Sequence, residues 1–211
     1  MLLHLWEGIR AGLVLALLVG PLVVLLLQLS IRRGTLAAFA AAFGIWVSDL
    51  LFILVTHYGM GGLGNIRGYS YFDEIVGGIG VAILLGTAIF MWFRRPPDLS
   101  GERVLPSKRG LFGAFLQGFA INTFNPFTIG FWSFFTLTQV HERELTDAAA
   151  WAVYAGILGT IVISDAAKVL AARKIRELLR PEVLVKVQRV GAVVLALFGV
   201  GLGLRVWFFG G

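Results

Sequence analysis

The sequence predicts an all-α integral membrane protein: six transmembrane helices, arranged as two inverted three-helix repeats, with helices one and four broken or kinked. Three observations predict it. The 211 residues are 58% hydrophobic and 14% charged, with a mean hydropathy of +0.85, which is too apolar for a soluble domain of this length. Apolar runs recur at about the 20 residues that a helix needs to cross hydrocarbon. A proline interrupts the first run and another the fourth, each near its middle.

In order, the runs are Ala11 to Ile31, Thr35 to Thr56, Ile75 to Phe93, one within the uncharged stretch Gly110 to Val140, Ala148 to Ala172, and Val190 to Phe209. Each is expected to be helical. An open sheet edge leaves backbone groups unsatisfied in lipid, and the continuous runs lack the short alternation of a barrel strand. Only Arg10 and Glu7 mark the approach to the first run, and no small-residue cleavage site follows it, so no removable signal peptide is expected.

Orientation follows from the basic residues. Arg32, Arg33, Arg94, Arg95, Arg103, Lys108, Arg109, Arg173, Lys174, Arg176, Arg180, Lys186 and Arg189 fall on one side, thirteen of the 18 in the chain. Arg10, Arg67, Arg143 and Arg205 fall on the other, and Lys168 lies inside a run. The thirteen mark the cytoplasmic side, so both termini face outward from the cell (inner) membrane. Arg32, Arg33 and the run Arg173 to Arg180 are read as anchors to anionic lipid.

The longest polar connection, RRPPDLSGERVLPSKR from Arg94 to Arg109, divides the chain. The reading is a first repeat over residues 1–95, a cytoplasmic linker over 96–109 and a second repeat over 110–211, in one transmembrane domain. Matches run in the same order through both repeats. Gly20-Pro21 in span one corresponds to Asn125-Pro126 in span four, and Ser48-Asp49 in span two to Ser164-Asp165 in span five. Gly78 and Gly86 match Gly191 and Gly199, and Trp92 matches Trp207. With three spans per repeat the second is inverted. At 1.5 Å per residue Asp49 lies about 21 Å along its span from the inside and Asp165 about 25 Å along its own from the outside, on opposite sides of the midplane.

Pro21 and Pro126 each remove a backbone donor and crowd the carbonyl four residues earlier, so each span breaks near mid-membrane. The freed groups must face protein or a water-filled cavity, and half-helix ends there can hold charged or zwitterionic solutes. Asn122 and Asn125 add donors and acceptors beside the second break. A kink made only for packing is the plainer reading of one proline; two at matching positions favour a solute site. Aspartate at a helix centre costs about 2.5 to 3.5 kcal/mol on insertion scales, so Asp49 and Asp165 are candidate proton or cation sites. Against this, Asp165 is also placed to pair with Lys168 one turn on, and Asp49 to be a hydrogen-bonded structural carboxylate.

Other features read as structural. Gly8, Gly12, Gly113 and Gly118 are expected to permit close helix contact. Trp46, Phe131, Trp132, Phe134 and Phe135 have two readings, lining a pathway or packing against lipid or core, and packing is the stronger expectation. His57 and His141, at span ends, are expected to be solvated at the interface. The chain has no cysteine and three scattered histidines, which removes thiol chemistry and leaves no transition-metal site. No metal and no cofactor is expected. The net charge of +6 sits between apolar runs, not on one face, which argues against nucleic acid.

The stretch VGPLVVLLLQLSIRRGTLAAFAAAFGIWVSDLLF, from Val19, resembles the first signature of the lysine exporter (LysE/RhtB) family, and GFAINTFNPFTIGFW, from Gly118, resembles its second. The likeness covers almost the whole chain. It implies secondary active export of amino acids or related small metabolites, driven by the proton-motive force as antiport and without nucleotide hydrolysis, so the protein is not read as an enzyme. By motif position Gly20, Pro21, Asp49, Asn122, Asn125 and Pro126 would be the functional residues, and Asp165 joins them from the repeat. One departure is Phe127, where members commonly carry a polar or basic residue after the Asn-Pro.

The partners implied are a small solute, protons and the bilayer; a homodimer is left open. Two alternatives stand beside export: a transporter of a hard divalent cation held by oxygen ligands, and a passive channel for a small solute. An intramembrane enzyme finds no support, since the chain has no GxGD-type or HExxH element.

Overall fold

The computed structural model describes residues 1–17, 21–60, 72–93, 108–172, 174 and 181–209, and a few side chains within its helices, that of Pro21 among them, lie outside the description. Among the described residues every regular element is helical: α1 (Leu2–Leu17), α2 (Pro21–Arg32), α3 (Thr35–Met60), α4 (Phe72–Phe93), α5 (Lys108–Thr123), α6 (Pro126–Phe135), a π-helical turn (Thr136–His141), α7 (Asp147–Ala171) and α8 (Pro181–Phe209).

Length and exposure identify the solvent these helices are built for. With 26 and 25 residues, α3 and α7 reach about 38 Å at 1.5 Å per residue, beyond the roughly 30 Å hydrocarbon thickness. Both are apolar enough to cross a membrane, and α1 with α2 makes a third span if the bent pair is taken as one. Leu36, Phe43, Val55, Ile163 and Leu170 on α3 and α7 are exposed, as are Leu13 and Leu17 on α1. A chain in water would bury them; lipid accepts them. The molecule is a membrane protein.

Both predicted breaks are present, in a sharper form than a kink. The axes of α1 and α2 differ by 66°, and Pro21 stands at the first position of α2, where its missing N–H costs nothing. At the second break Pro126 opens α6 in the same way. Asn125 caps it with extended backbone (φ −78°, ψ 113°), its side-chain oxygen accepting from Phe127 N at 3.1 Å. Prolines therefore start helices here and do not bend them.

Several boundaries fall outside the runs read from the sequence. Helix α1 begins at Leu2, and α8 begins at Pro181, which draws Lys186 and Arg189 onto the helix; the Arg189 guanidinium lies 5.2 Å from the Trp92 ring centre. Helix α5 starts at Lys108, inside the expected linker, most of which lies outside the described residues. The tight turn from α2 into α3 uses Gly34 at φ 89°, a left-handed conformation that glycine adopts without penalty.

Three helix pairs organise the packing: α3 against α5, α1 against α7, and α4 against α8. The first two are closest where glycines remove the side chain from the contact. A Cβ on Gly118 would meet the Ala41 backbone, and one on Gly44 the backbone of Phe115. On the other side Gly8 faces the Val153 backbone and Gly12 faces Ile157 and Thr160. Gly113 faces open space, so its expected contact role is not found. The cores follow these pairs. Leu25, Leu26, Ala38, Ala41, Ile45 and Val169 form one cluster among α2, α3, α5 and α7. Ile53, Trp132, Val153, Tyr154 and Ile157 form another toward the far end of α3.

Candidate functional site

Asp49 sits midway along α3, and α5 and α6 bring their polar groups to it. The break at Phe124-Asn125 turns the chain so that Asn122, near the end of α5, and Trp132, on α6, both face the same carboxylate. Asp49 Oδ1 accepts from Asn122 Nδ2 at 2.8 Å and from Trp132 Nε1 at 2.9 Å. Asn122 is itself held at both ends, donating to the Ile45 carbonyl at 3.2 Å and accepting from Thr128 Oγ1 at 2.8 Å. Asp49, Asn122, Thr128 and Trp132 are all buried. Every donor to this acid is neutral, so among the described residues no cation pairs with it.

Asp165, on α7, is built differently. Its Oδ1 accepts from Lys168 Nζ at 3.2 Å, one turn on, and its Oδ2 accepts from Trp46 Nε1 on α3 at 3.2 Å. The local pair expected between Asp165 and Lys168 is present, and it is joined by an indole from elsewhere in the chain. Trp46 lies three residues before Asp49 on α3, so one helix carries one acid and the donor that holds the other.

Both acids open on one cavity of about 110 Å³. Its polar wall is Asp49, Asn122, Asn125, Thr128, Asp165, Lys168 and Thr87; its apolar wall includes Leu22, Val23, Ile45, Phe127, Phe131 and Trp132. At about 30 Å³ per water, that volume holds three or four waters or a solute of a few heavy atoms. Thr87 Oγ1, from α4, is buried there with no hydrogen-bond partner among the described residues. A buried hydroxyl left in that state is costly unless water or a ligand meets it.

Of the residues singled out from the sequence, Asp49, Asn122, Asn125 and Asp165 meet at this cavity, and Pro126 shapes it by starting α6. Gly20 and the side chain of Pro21 lie outside the described residues; the backbone of Pro21 begins α2, whose Leu22 and Val23 reach the wall. Sequence reading missed Thr87 and Thr128 as site residues and gave Trp46 and Trp132 only a weaker reading as pathway lining. Trp132 is 1% exposed and donates to Asp49, so packing describes only half of its role. The available signal was positional, a tryptophan three residues before one acid and another on the helix that Pro126 starts.

Beyond the cavity, toward the other end of α3, Ile53 stands on the same face of the helix and belongs to the second core cluster. Past it lies a buried polar group. Thr56 Oγ1 and Thr136 Oγ1 are 3.0 Å apart, Tyr154 OH donates to Thr136 at 3.3 Å, and His57 Nδ1 lies 3.4 Å from the same phenol. His57 Nε2 reaches the exposed Asp147 at 3.4 Å. His57 is therefore buried, correcting the interfacial solvation expected for it; the packing of α7 against the end of α3 covers it, and its ring stacks with that of His141 at 5.9 Å. Near α1 a surface hollow holds Arg143 against Glu7, with nitrogen–oxygen distances of 3.1 and 3.3 Å.

No curated protein and no solved structure matches the chain. A protein family does match it: LysE type translocator, over residues 13–205, which takes in both breaks, both acids and nearly all of the described helices. That family is one of translocators and not of enzymes. A membrane-embedded helical chain whose broken helices border a small, mostly apolar cavity carrying a few polar groups fits such a role, and the protein belongs to the LysE type translocator family.

Proposed function

We propose that the protein is a proton-coupled secondary exporter of amino acids or related small metabolites, binding its solute between the helix breaks at Pro21 and Pro126. The observation that carries this reading is the cavity that Asp49, Asn122, Asn125 and Asp165 line together. Carboxylate, ammonium and amide groups in one chamber offer complementary partners to a zwitterion, and the Thr87 hydroxyl, without a partner among the described residues, adds another. Asp49 takes a proton from outside and releases it inside while the solute leaves, which makes the cycle an antiport.

The architecture in this proposal is six spans in two inverted repeats, residues 1–95 and 110–211, with both termini outside the inner membrane. Supporting it, α3 packs on α5 as α7 packs on α1, and α4 pairs with α8, which is the pattern a twofold relation between the repeats requires. Rocking of one repeat against the other exposes the site alternately and enlarges a cavity of about 110 Å³ for solutes beyond a few atoms.

The test uses purified protein in liposomes under an imposed pH gradient, with a panel of amino acids, dipeptides and divalent cations. Gradient-driven flux of an organic solute, lost in an Asp49→Asn, Asp165→Asn variant, is the expected result. Movement of a divalent ion alone replaces the reading with cation transport, flux indifferent to the gradient replaces it with a channel, and no flux across the panel overturns export.

A further inference from the structure

The two indole N–H groups at the site are crossed. Trp46, before residue 94, holds Asp165; Trp132, after residue 107, holds Asp49. Each acid is thus tied to the part of the chain that does not contain it. Phenylalanine would keep an aromatic ring there with some loss of volume, and what the indole adds besides bulk is one donor with no acceptor function. Both donors end on a carboxylate that opens on the cavity, which goes beyond what packing requires.

We propose that Trp46 and Trp132 are positioning residues, a crossed pair of clamps through which the occupancy of each acid is sensed by the opposite part of the molecule. This rests on the exporter reading for its purpose, and on the two observed bonds for its geometry. A hydrogen bond to an ionised carboxylate is roughly twice as strong as one between neutral groups. When Asp49 is loaded with a proton, or its charge is met by a cationic group of the solute, the Trp132 clamp weakens and α6 is freed relative to α3. The charged side chains lining the cavity among the described residues are Asp49, Asp165 and Lys168. Asn122 and Trp132, which face Asp49 from α5 and α6, are neutral. Lys168 stays beside Asp165 on its own helix, so the Trp46 clamp responds less than the Trp132 clamp.

The experiment uses the full chain in nanodiscs, with tryptophan labelled by nitrogen-15 and the six indole N–H signals assigned by single Trp→Phe substitutions. Protons alone are the probe. The expected result is a Trp132 signal that moves through a pH titration and becomes flat in Asp49→Asn, while Asp165→Asn leaves it titrating; the Trp46 signal shows the reverse dependence with a smaller excursion. Trp132 signals indifferent to Asp49→Asn, or both indoles answering equally to either acid, overturn the crossing.

A second readout separates positioning from support. The chain has no cysteine, so a Thr87→Cys variant carries one thiol, in the cavity wall. Its maleimide labelling rate, referred to the same variant carrying Asp49→Asn to cancel the thiol's own ionisation, is expected to change with pH by about threefold or more, well within ordinary coupling energies. Trp132→Phe is expected to flatten that change. A pH dependence untouched by Trp132→Phe leaves the indole a support only and overturns the clamp. Neither readout needs solute or flux, so failure here leaves the exporter reading to its own assay.

Discussion

Asp49 and Asp165 are alike in burial, each lining the same cavity, yet they are stabilised by opposite means. Asp165 carries its own cation on the next turn of α7, so its charge is balanced before any other helix packs against it. Asp49 is met by an amide and an indole, each of which arrives only when α5 and α6 are docked on α3. An acid with a built-in counter-ion is tolerant of what enters the cavity. An acid held by neutral donors keeps an unbalanced charge, and that charge is available to a proton or to a cationic solute group.

The largest effect expected from this difference is on transport. Asp49→Asn is expected to lower gradient-driven flux about 100-fold or more, toward the top of the usual range of coupling energies, and Asp165→Asn to lower it less, both measured in proteoliposomes. The reverse order would break the comparison.

Stability sharpens it next. Gly118→Val drives a side chain into the Ala41 backbone and separates α5 from α3, and Gly8→Val does the same to α1 and α7. Each is expected to cost about 1 to 3 kcal/mol, or more, by overpacking, read as a fall in melting temperature in detergent. Only Gly118→Val should also disturb the Asp49 bonds, seen as a shift of the Trp132 indole signal.

Lys168→Met removes the cation from a partly buried pair and is expected to destabilise by about 1 to 3 kcal/mol in the same melting assay, because Asp165 is left with an unmatched charge. Adding Asp165→Asn should recover most of the loss. The smallest effect is expected at the surface hollow near α1, where Glu7→Gln loosens an exposed pair with Arg143. About 0.2 to 1 kcal/mol is expected, shrinking further as salt is added.

Much of the site was legible in the linear chain because lipid makes polar residues expensive. Asp49, Asp165, Asn122 and Asn125 stand out from apolar runs, and prolines in the middle of spans announce breaks wherever the backbone is. The roles of the tryptophans, of Thr87 and of Thr128 were not legible, since an amphipathic side chain in an apolar run looks the same whether its polar atom is paired or not. His57 was misread because position at a span end says nothing about the neighbour that covers it. Gly113 and Gly118 look equivalent in sequence, but only Gly118 faces another backbone.

Taken alone, the order of residues determined what local physics determines: a chain apolar enough for the membrane, helices as the way to satisfy its backbone there, breaks at Pro21 and Pro126, and a pair formed within one turn between Asp165 and Lys168. Only the tertiary structure decided which groups meet across helices. Asp49 finds Trp132 83 residues away, and Asp165 finds Trp46 119 residues away. No periodicity encodes those distances. They follow from the close approach of α3 to α5 and of α1 to α7, where glycines let backbones touch and so set which faces of the helices look into the cavity.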